Sequence, residues 1–92
     1  MTMMIADWLV IDGDRVAQTL QEAKEKLDAA KGELVLDFSG VRRVDPGALR
    51  ALEAFAGAAD EKSVKVALRG VNVDVYKVLK LARLAPRFSI VN

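Results

Sequence analysis

The sequence of 92 residues contains no cysteine and no histidine. Without cysteine, the chain cannot form disulfides, thiolate zinc sites or iron–sulfur clusters, and it has no thiol nucleophile. Without histidine, it lacks the commonest general base, the commonest metal ligand and the Ser-His-Asp triad. An enzyme is therefore the least expected class of protein, and we expect no catalytic residue, no metal site and no cofactor.

An excess of charge of one sign is also lacking. Fourteen basic residues against thirteen acidic ones leave a net charge of +1, so composition predicts no specific nucleic-acid partner. No apolar run approaches the roughly 18 residues that cross a bilayer, and residues 1–7 lack the basic region of a signal peptide. We therefore expect no membrane insertion, and a soluble protein of the cytoplasm.

The length is that of one small domain, and we expect residues 1–92 to form it. Short apolar runs, interpreted as strands, alternate with segments of helical periodicity that begin near Arg15, Pro46 and Asn72. The order βαβαβα, with a possible last strand, predicts an α/β fold with a small, mostly parallel or mixed four-stranded sheet. The continuous apolar run at residues 34–38 predicts a strand that is covered on both faces. The predicted strands are residues 8–11, 34–38, 64–68 and 88–91.

Residues with capping propensity precede each predicted helix. Asp14, Asp45 and Asn72 are the expected N-caps, and Pro46 is favoured in a first helical turn. Gly32 is the expected end of the first helix. The predicted buried face of that helix is Val16, Leu20, Ala23, Leu27 and Ala30.

Asp37 interrupts an apolar strand, where a carboxylate is costly unless it is paired or hydrogen-bonded. One interpretation is a functional carboxylate at the carboxyl edge of the sheet, within reach of Arg42 or Arg43. The other, which we favour, is that Asp37 organises its own loop by accepting backbone N–H bonds.

Lys77, Lys80 and Arg83 form a possible second site, a basic stripe that extends to Arg87 if the third helix continues that far. An ordinary solvated helix face explains the same spacing and is the interpretation we favour. The alternative is a docking surface for an acidic partner or a phosphate backbone.

Residues 34–49 resemble the signature of STAS domains, the family of bacterial anti-sigma factor antagonists. In that family an apolar strand ending in Asp leads through a short loop to Asp-Ser-Ser/Thr-Gly-Leu at a helix start; here the helix start reads Asp45-Pro46-Gly47-Ala48-Leu49. Residues 66–84, a strand followed by a Gly-Val turn and an amphipathic helix, are similar to the second half of the family. The positions Gly70–Asn72, Val75-Tyr76 and Lys80-Leu81 also resemble one subfamily, the small STAS subunit of a bacterial phospholipid-transport ABC complex.

Two departures from the family pattern stand out. The position that switchable antagonists phosphorylate is Gly47, preceded by Pro46, so neither residue can accept a phosphoryl group. The family also opens with a two-stranded hairpin, for which residues 3–5 offer at most a short first strand.

The resemblance implies a non-enzymatic module that binds a protein partner constitutively. The partner is an anti-sigma factor kinase or, in the alternative, the ATPase subunit of a lipid-transport ABC complex. A third alternative is a nucleotide- or phosphate-binding domain that uses Arg42 and Arg43. We expect the partner-binding surface to comprise Arg42, Arg43, Val44, Asp45, Pro46, Gly47, Ala48 and Arg50.

Overall fold

The computed structural model describes residues 7–30 and 32–91 and confirms the predicted order of elements, the last strand included. The possible strand at residues 3–5 lies outside the described residues. Two 3₁₀ turns, Lys24–Leu27 and Ala85–Arg87, follow the first and third helices. The strands and helices are β1 (Asp7–Val10), α1 (Val16–Ala23), β2 (Glu33–Asp37), α2 (Pro46–Glu61), β3 (Lys65–Arg69), α3 (Val73–Leu81) and β4 (Ser89–Val91).

The four strands form one sheet in the order β1-β2-β3-β4. All three pairings are parallel, so the α/β prediction is confirmed and the sheet is parallel rather than mixed. The register places Leu9, Leu36, Leu68 and Ile90 in one row across the sheet. This row and its neighbours Leu34 and Val66 pack into the apolar core.

The described helices cover only one face of the sheet. Strands that follow one another in chain order, joined by right-handed crossovers, place every connecting helix on the same side. Trp8, Val10 and Val91 project from the opposite face and keep 48%, 64% and 43% of their surface exposed. The prediction that the strand at residues 34–38 is covered on both faces was therefore wrong, because a continuous apolar run does not reveal on which side the helices pack.

The N-caps of α2 and α3 are confirmed. Asp45 and Asn72 have extended backbones, and their side chains accept hydrogen bonds from Ala48 N and Val75 N, both at 2.7 Å. The predicted cap of α1 was wrong, since Arg15 holds the N-cap position without a side-chain bond. Asp12 shapes that turn instead, because its carboxylate accepts a bond from Asp14 N at 2.9 Å.

The buried face predicted for the first helix is confirmed, although α1 is shorter than expected. The α-helix ends at Ala23 and continues as a 3₁₀ turn, so the apolar spacing survives a change of helix type. Leu20 and Leu27 are fully buried, and Ala30 is half-buried. Gly32 then turns the chain into β2 with a φ of +93°, a conformation that glycine adopts without a Cβ penalty.

Candidate functional site

The candidate site lies at the carboxyl edge of the sheet, where the loop of residues 38–45 leads from β2 into α2. Parallel α/β sheets form their sites at this edge, because the loops after neighbouring strands meet there. Asp45 caps α2, and its carbonyl accepts the first helical bond, from Leu49 N at 2.9 Å. Pro46 and Gly47 follow in the first turn, both exposed, so the helix start has little side-chain cover.

Close backbone packing fixes this loop from two sides. A Cβ at Gly13 would overlap the carbonyl oxygen of Gly40, so the turn after β1 touches the loop directly. A Cβ at Gly70 would lie 2.9 Å from Cβ of Ser39, and Gly70 has a φ of +75°. Both glycines allow an approach that a side chain would block, and together they hold the start of the loop between the β1 and β3 ends.

Asn72 fixes the loop from a third side. While its Oδ1 caps α3, its Nδ2 donates to the carbonyls of Val41 and Arg42, at 3.2 and 3.3 Å. One amide therefore couples the start of α3 to the loop that precedes α2. The sequence predicts the capping bond. It does not predict the bonds from Asn72 to the loop, because Val41 and Arg42 lie 31 and 30 residues away in the chain.

We expect Asn72→Ala to lower the free energy of unfolding by about 1–2 kcal/mol, since it removes a helix cap. Asn72→Asp is the matched variant, because it retains the oxygen that caps α3 and loses the donor to the loop carbonyls. Urea denaturation should rank the stabilities as wild type, then Asp, then Ala. If the Asp variant falls as far as Ala or further, the loop contact rather than the cap carries the stability.

The structure divides the eight predicted partner-binding residues into two groups. Val44 and Ala48 are buried in the core, at 9% and 2% exposure, so they support the surface and do not form it. This corrects the predicted surface. The other six are exposed and adjoin one another along the loop and the first turn of α2, namely Arg42, Arg43, Asp45, Pro46, Gly47 and Arg50.

Asp37 organises its loop, as the favoured interpretation predicted. Its carboxylate accepts a bond from Ser39 N at 2.9 Å. This backbone bond, aided by the Ser39 hydroxyl and by the positive charge of Arg69, lowers the pKa of Asp37 below its usual range. The basic neighbour of Asp37 is thus Arg69 on β3, and the prediction that Arg42 or Arg43 reaches it was wrong.

The turn after β1 contributes to the same edge, which sequence reasoning missed. A shallow groove of about 620 Å³ is lined by Asp12, Gly13, Asp14, Gly40, Arg42 and Arg43. A second groove, of about 280 Å³, runs between the starts of α1 and α2. The turn could have been predicted from the chain order of a parallel sheet, because that order brings the loops after β1 and β2 together. The edge carries carboxylates beside its arginines.

The predicted basic stripe is interrupted. The α-helix α3 ends at Leu81, and Arg83 takes a left-handed conformation with a φ of +62°. Leu84 N bonds to Leu79 O and Arg83 N to Lys80 O, the pattern of a Schellman motif. Arg87 lies in the following 3₁₀ turn and pairs with Asp60 at 2.8 Å. Lys77 and Lys80 alone remain on the helix, both exposed.

Within residues 7–30 and 32–91, no group of three acidic side chains is placed to hold a metal ion. Across the same ranges, no helix has the length and apolar content needed to span a bilayer.

The chain thus combines a parallel α/β sheet, helices on one face of that sheet and a capped helix start at its carboxyl edge. A family model described as "Mlab, STAS domain" matches residues 10–91. The chain belongs to the STAS domain family.

Relatives agree with this membership, and a solved structure shares the fold. The chain is 36% identical over 85 residues to the intermembrane phospholipid transport system binding protein MlaB of Escherichia coli, covering 89% of this chain and 86% of that one. The same values hold for MlaB of Shigella flexneri. A crystal structure of a candidate anti-sigma factor antagonist from Thermotoga maritima superposes with a TM-score of 0.75 at 16% identity, covering 98% of this chain and 83% of that one. The recognised resemblance to STAS domains is confirmed.

Proposed function

We propose that this chain is a non-enzymatic protein-interaction subunit of a phospholipid-transport system, acting on the cytoplasmic side of the membrane. The observation that carries the proposal is 36% identity to MlaB over nearly the whole of both chains. At 16% and 18% identity, the solved structures support the fold alone. The sequence motifs favoured an anti-sigma factor kinase as the partner. The identity to MlaB favours the ATPase subunit of an ABC transporter instead.

The docking surface we propose is the exposed part of the loop and helix start: Arg42, Arg43, Asp45, Pro46, Gly47 and Arg50, hereafter the docking surface. Contacts from Gly13, Gly70 and Asn72 hold the loop of residues 39–42, which leads into the docking surface. A surface that is held in one conformation before binding loses less conformational entropy when the partner arrives. The exposed N–H groups at the start of α2 and the neighbouring arginines favour a partner segment with acidic or carbonyl acceptors.

We further propose that phosphorylation does not control this interaction. Pro46 and Gly47 occupy the positions where switchable antagonists carry hydroxyl groups, and neither side chain can be phosphorylated. A phosphate at the start of α2 would place about two negative charges in the centre of the docking surface. Its absence leaves the surface permanently available.

A nucleotide or phosphate ligand is the less favoured alternative. Arg42 and Arg43 line the larger groove, but Asp12 and Asp14 line it with them. Two carboxylates close to a bound phosphate repel it, so the groove is poorly matched to such a ligand.

The docking surface is tested by Gly47→Asp, with Gly47→Ser as the matched control. A carboxylate at the start of α2 is compatible with the fold, since negative charge near a helix N-terminus is stabilising. In the interface, however, the carboxylate is desolvated without a partner of its own. We expect the Asp variant to melt within a few degrees of wild type and to bind the ATPase subunit at least about tenfold more weakly, equivalent to roughly 1.4 kcal/mol.

The Ser variant, like the Asp variant, adds a side chain at position 47, but its small polar group carries no charge. Isothermal titration of the purified ATPase with wild type, Ser and Asp variants should give similar affinities for the first two. Equal affinity of all three would show that the partner binds at a different surface. Titration against a kinase-type anti-sigma factor distinguishes the two partner classes.

A further inference from the structure

The sheet has a second surface that the proposed function does not use. The face opposite the helices, hereafter the open sheet face, is formed in its centre by Glu33, Val35 and Asp37 of β2 and by Lys65, Ala67 and Arg69 of β3. Each alternates with a residue that points into the core, such as Leu34, Leu36 or Leu68. Val35 is half-buried and Ala67 is buried, at 7% exposure, although neither belongs to the cluster of core residues under the helices.

The charges of the open sheet face form two columns. On β2 both charged residues are acidic, and on the adjacent β3 both are basic. The parallel register sets them level, since Glu33 is opposite Lys65 and Asp37 is opposite Arg69. An apolar pair, Val35 and Ala67, lies between the two charged rows. The face therefore carries an acidic column, a basic column of the same length and an apolar middle.

We propose that the open sheet face binds a second copy of this chain, about a two-fold axis that runs parallel to the strands between β2 and β3. Such an axis places the acidic column of each copy over the basic column of the other. Because the columns are level, Glu33 then faces Lys65 of the second copy, and Asp37 faces its Arg69. An axis perpendicular to the strands would instead set acid over acid and base over base, which is repulsive.

The edge strands fit the same arrangement. The axis exchanges β1 with β4, so that Trp8 faces Ser89 of the second copy and Val10 faces its Val91, as the row register requires. A large side chain thus meets a small one, and two half-exposed valines cover each other. The guanidinium of Arg69 already lies over the Trp8 ring, 4.8 Å from its centroid. This cation–π contact crosses β2 on the open sheet face.

The size of the face sets the strength of the contact. Four strands spaced about 4.8 Å apart, with a rise of about 3.3 Å per residue, make a patch of roughly 19 by 16 Å. An interface of this size falls in the class below about 1,200 Å² of total buried area, whose complexes are weak and transient. The dimer should therefore form at high protein concentration and dissociate on dilution. Both docking surfaces would lie at the same end of the dimer, because the strands of the two copies run in the same direction.

Two charge-reversed variants test the proposal together. Glu33→Lys and Lys65→Glu each place like charges opposite one another in a homodimer, and we expect each to weaken self-association at least about fivefold. In an equimolar mixture of the two variants, position 33 of each copy faces the opposite charge at position 65 of the other, so the heterodimer should recover wild-type affinity. Sedimentation velocity over a concentration series measures all three samples, and circular dichroism verifies their folding.

The unmodified protein gives an independent readout. Trp8 is the chain's one tryptophan and lies on the open sheet face, so its emission should shift to shorter wavelength as concentration rises. A monomer at every concentration with constant Trp8 emission overturns the proposal, and so does self-association that the mixture fails to restore. Shielded emission independent of concentration would also overturn it, since the chain's own residues would then cover the face. Shielding only when a different protein is added would replace the second copy with a heterologous partner.

Discussion

Leu52→Ala is expected to lower the free energy of unfolding by about 2–4 kcal/mol. Leu52 lies in the middle of α2 and is fully buried among the core residues that face the sheet. Truncation removes apolar area and leaves a cavity that the parallel sheet cannot close without moving a strand. A large share of the stability of a domain of this size is at stake, since small domains unfold with only about 5–15 kcal/mol.

Glu53→Ala is the matched control for Leu52→Ala. It changes the next residue of the same helix, whose side chain is exposed, and should alter stability by less than about 0.5 kcal/mol. Urea denaturation at constant pH measures both variants. A midpoint that hardly moves for Leu52→Ala would show that α2 is rotated relative to the sheet.

Gly13→Ala is expected to destabilise the fold by about 1–3 kcal/mol and to weaken partner binding with it. The new Cβ would overlap the carbonyl oxygen of Gly40, a backbone atom that cannot rotate away as a side chain can. The turn after β1 must therefore shift, or the loop of residues 38–45 must. Either movement displaces Arg42 and Arg43, which belong to the docking surface, so partner binding should weaken as well.

Gly40→Ala provides the comparison from the other side of the same contact. A Cβ at Gly40 meets no atom within 4 Å, so its stability and partner affinity should stay close to wild type. Thermal melting and titration of the two variants separate a contact that is specific to Gly13 from a general need for glycine. Equal effects would show that flexibility of the loop, rather than close packing, requires glycine here.

The helix starts at Pro46 and Asn72 were predictable from sequence because their determinants are local. A cap, a proline and an apolar spacing act within about two turns of a helix. Asp45, Pro46 and Asn72 therefore indicate the helix starts without any distant contact. The start of α1 was less predictable, since Asp14 has capping propensity but lies in the turn before the helix. Asp12 shapes that turn by accepting the bond from Asp14 N, and Arg15 holds the N-cap position.

Contacts between distant segments were not predictable in the same way. Nothing near Asn72 in the chain reveals its bonds to Val41 and Arg42, and nothing near Gly13 reveals that Gly40 packs on it. The coverage of only one face of the sheet by helices was not predicted, for a related reason. The runs at 8–11 and 34–38 are apolar on both faces, and only the strand order shows that helices cover one of them.

We propose that the docking surface at the start of α2 binds an ABC ATPase subunit. Hydrogen–deuterium exchange of the chain, alone and saturated with that subunit, tests it most directly. We predict that the amides of residues 40–50 become protected on binding, while those of β1 and β4 and the exposed side of α3 change little. Protection confined to α3 or to the sheet, with residues 40–50 unchanged, would contradict the claim.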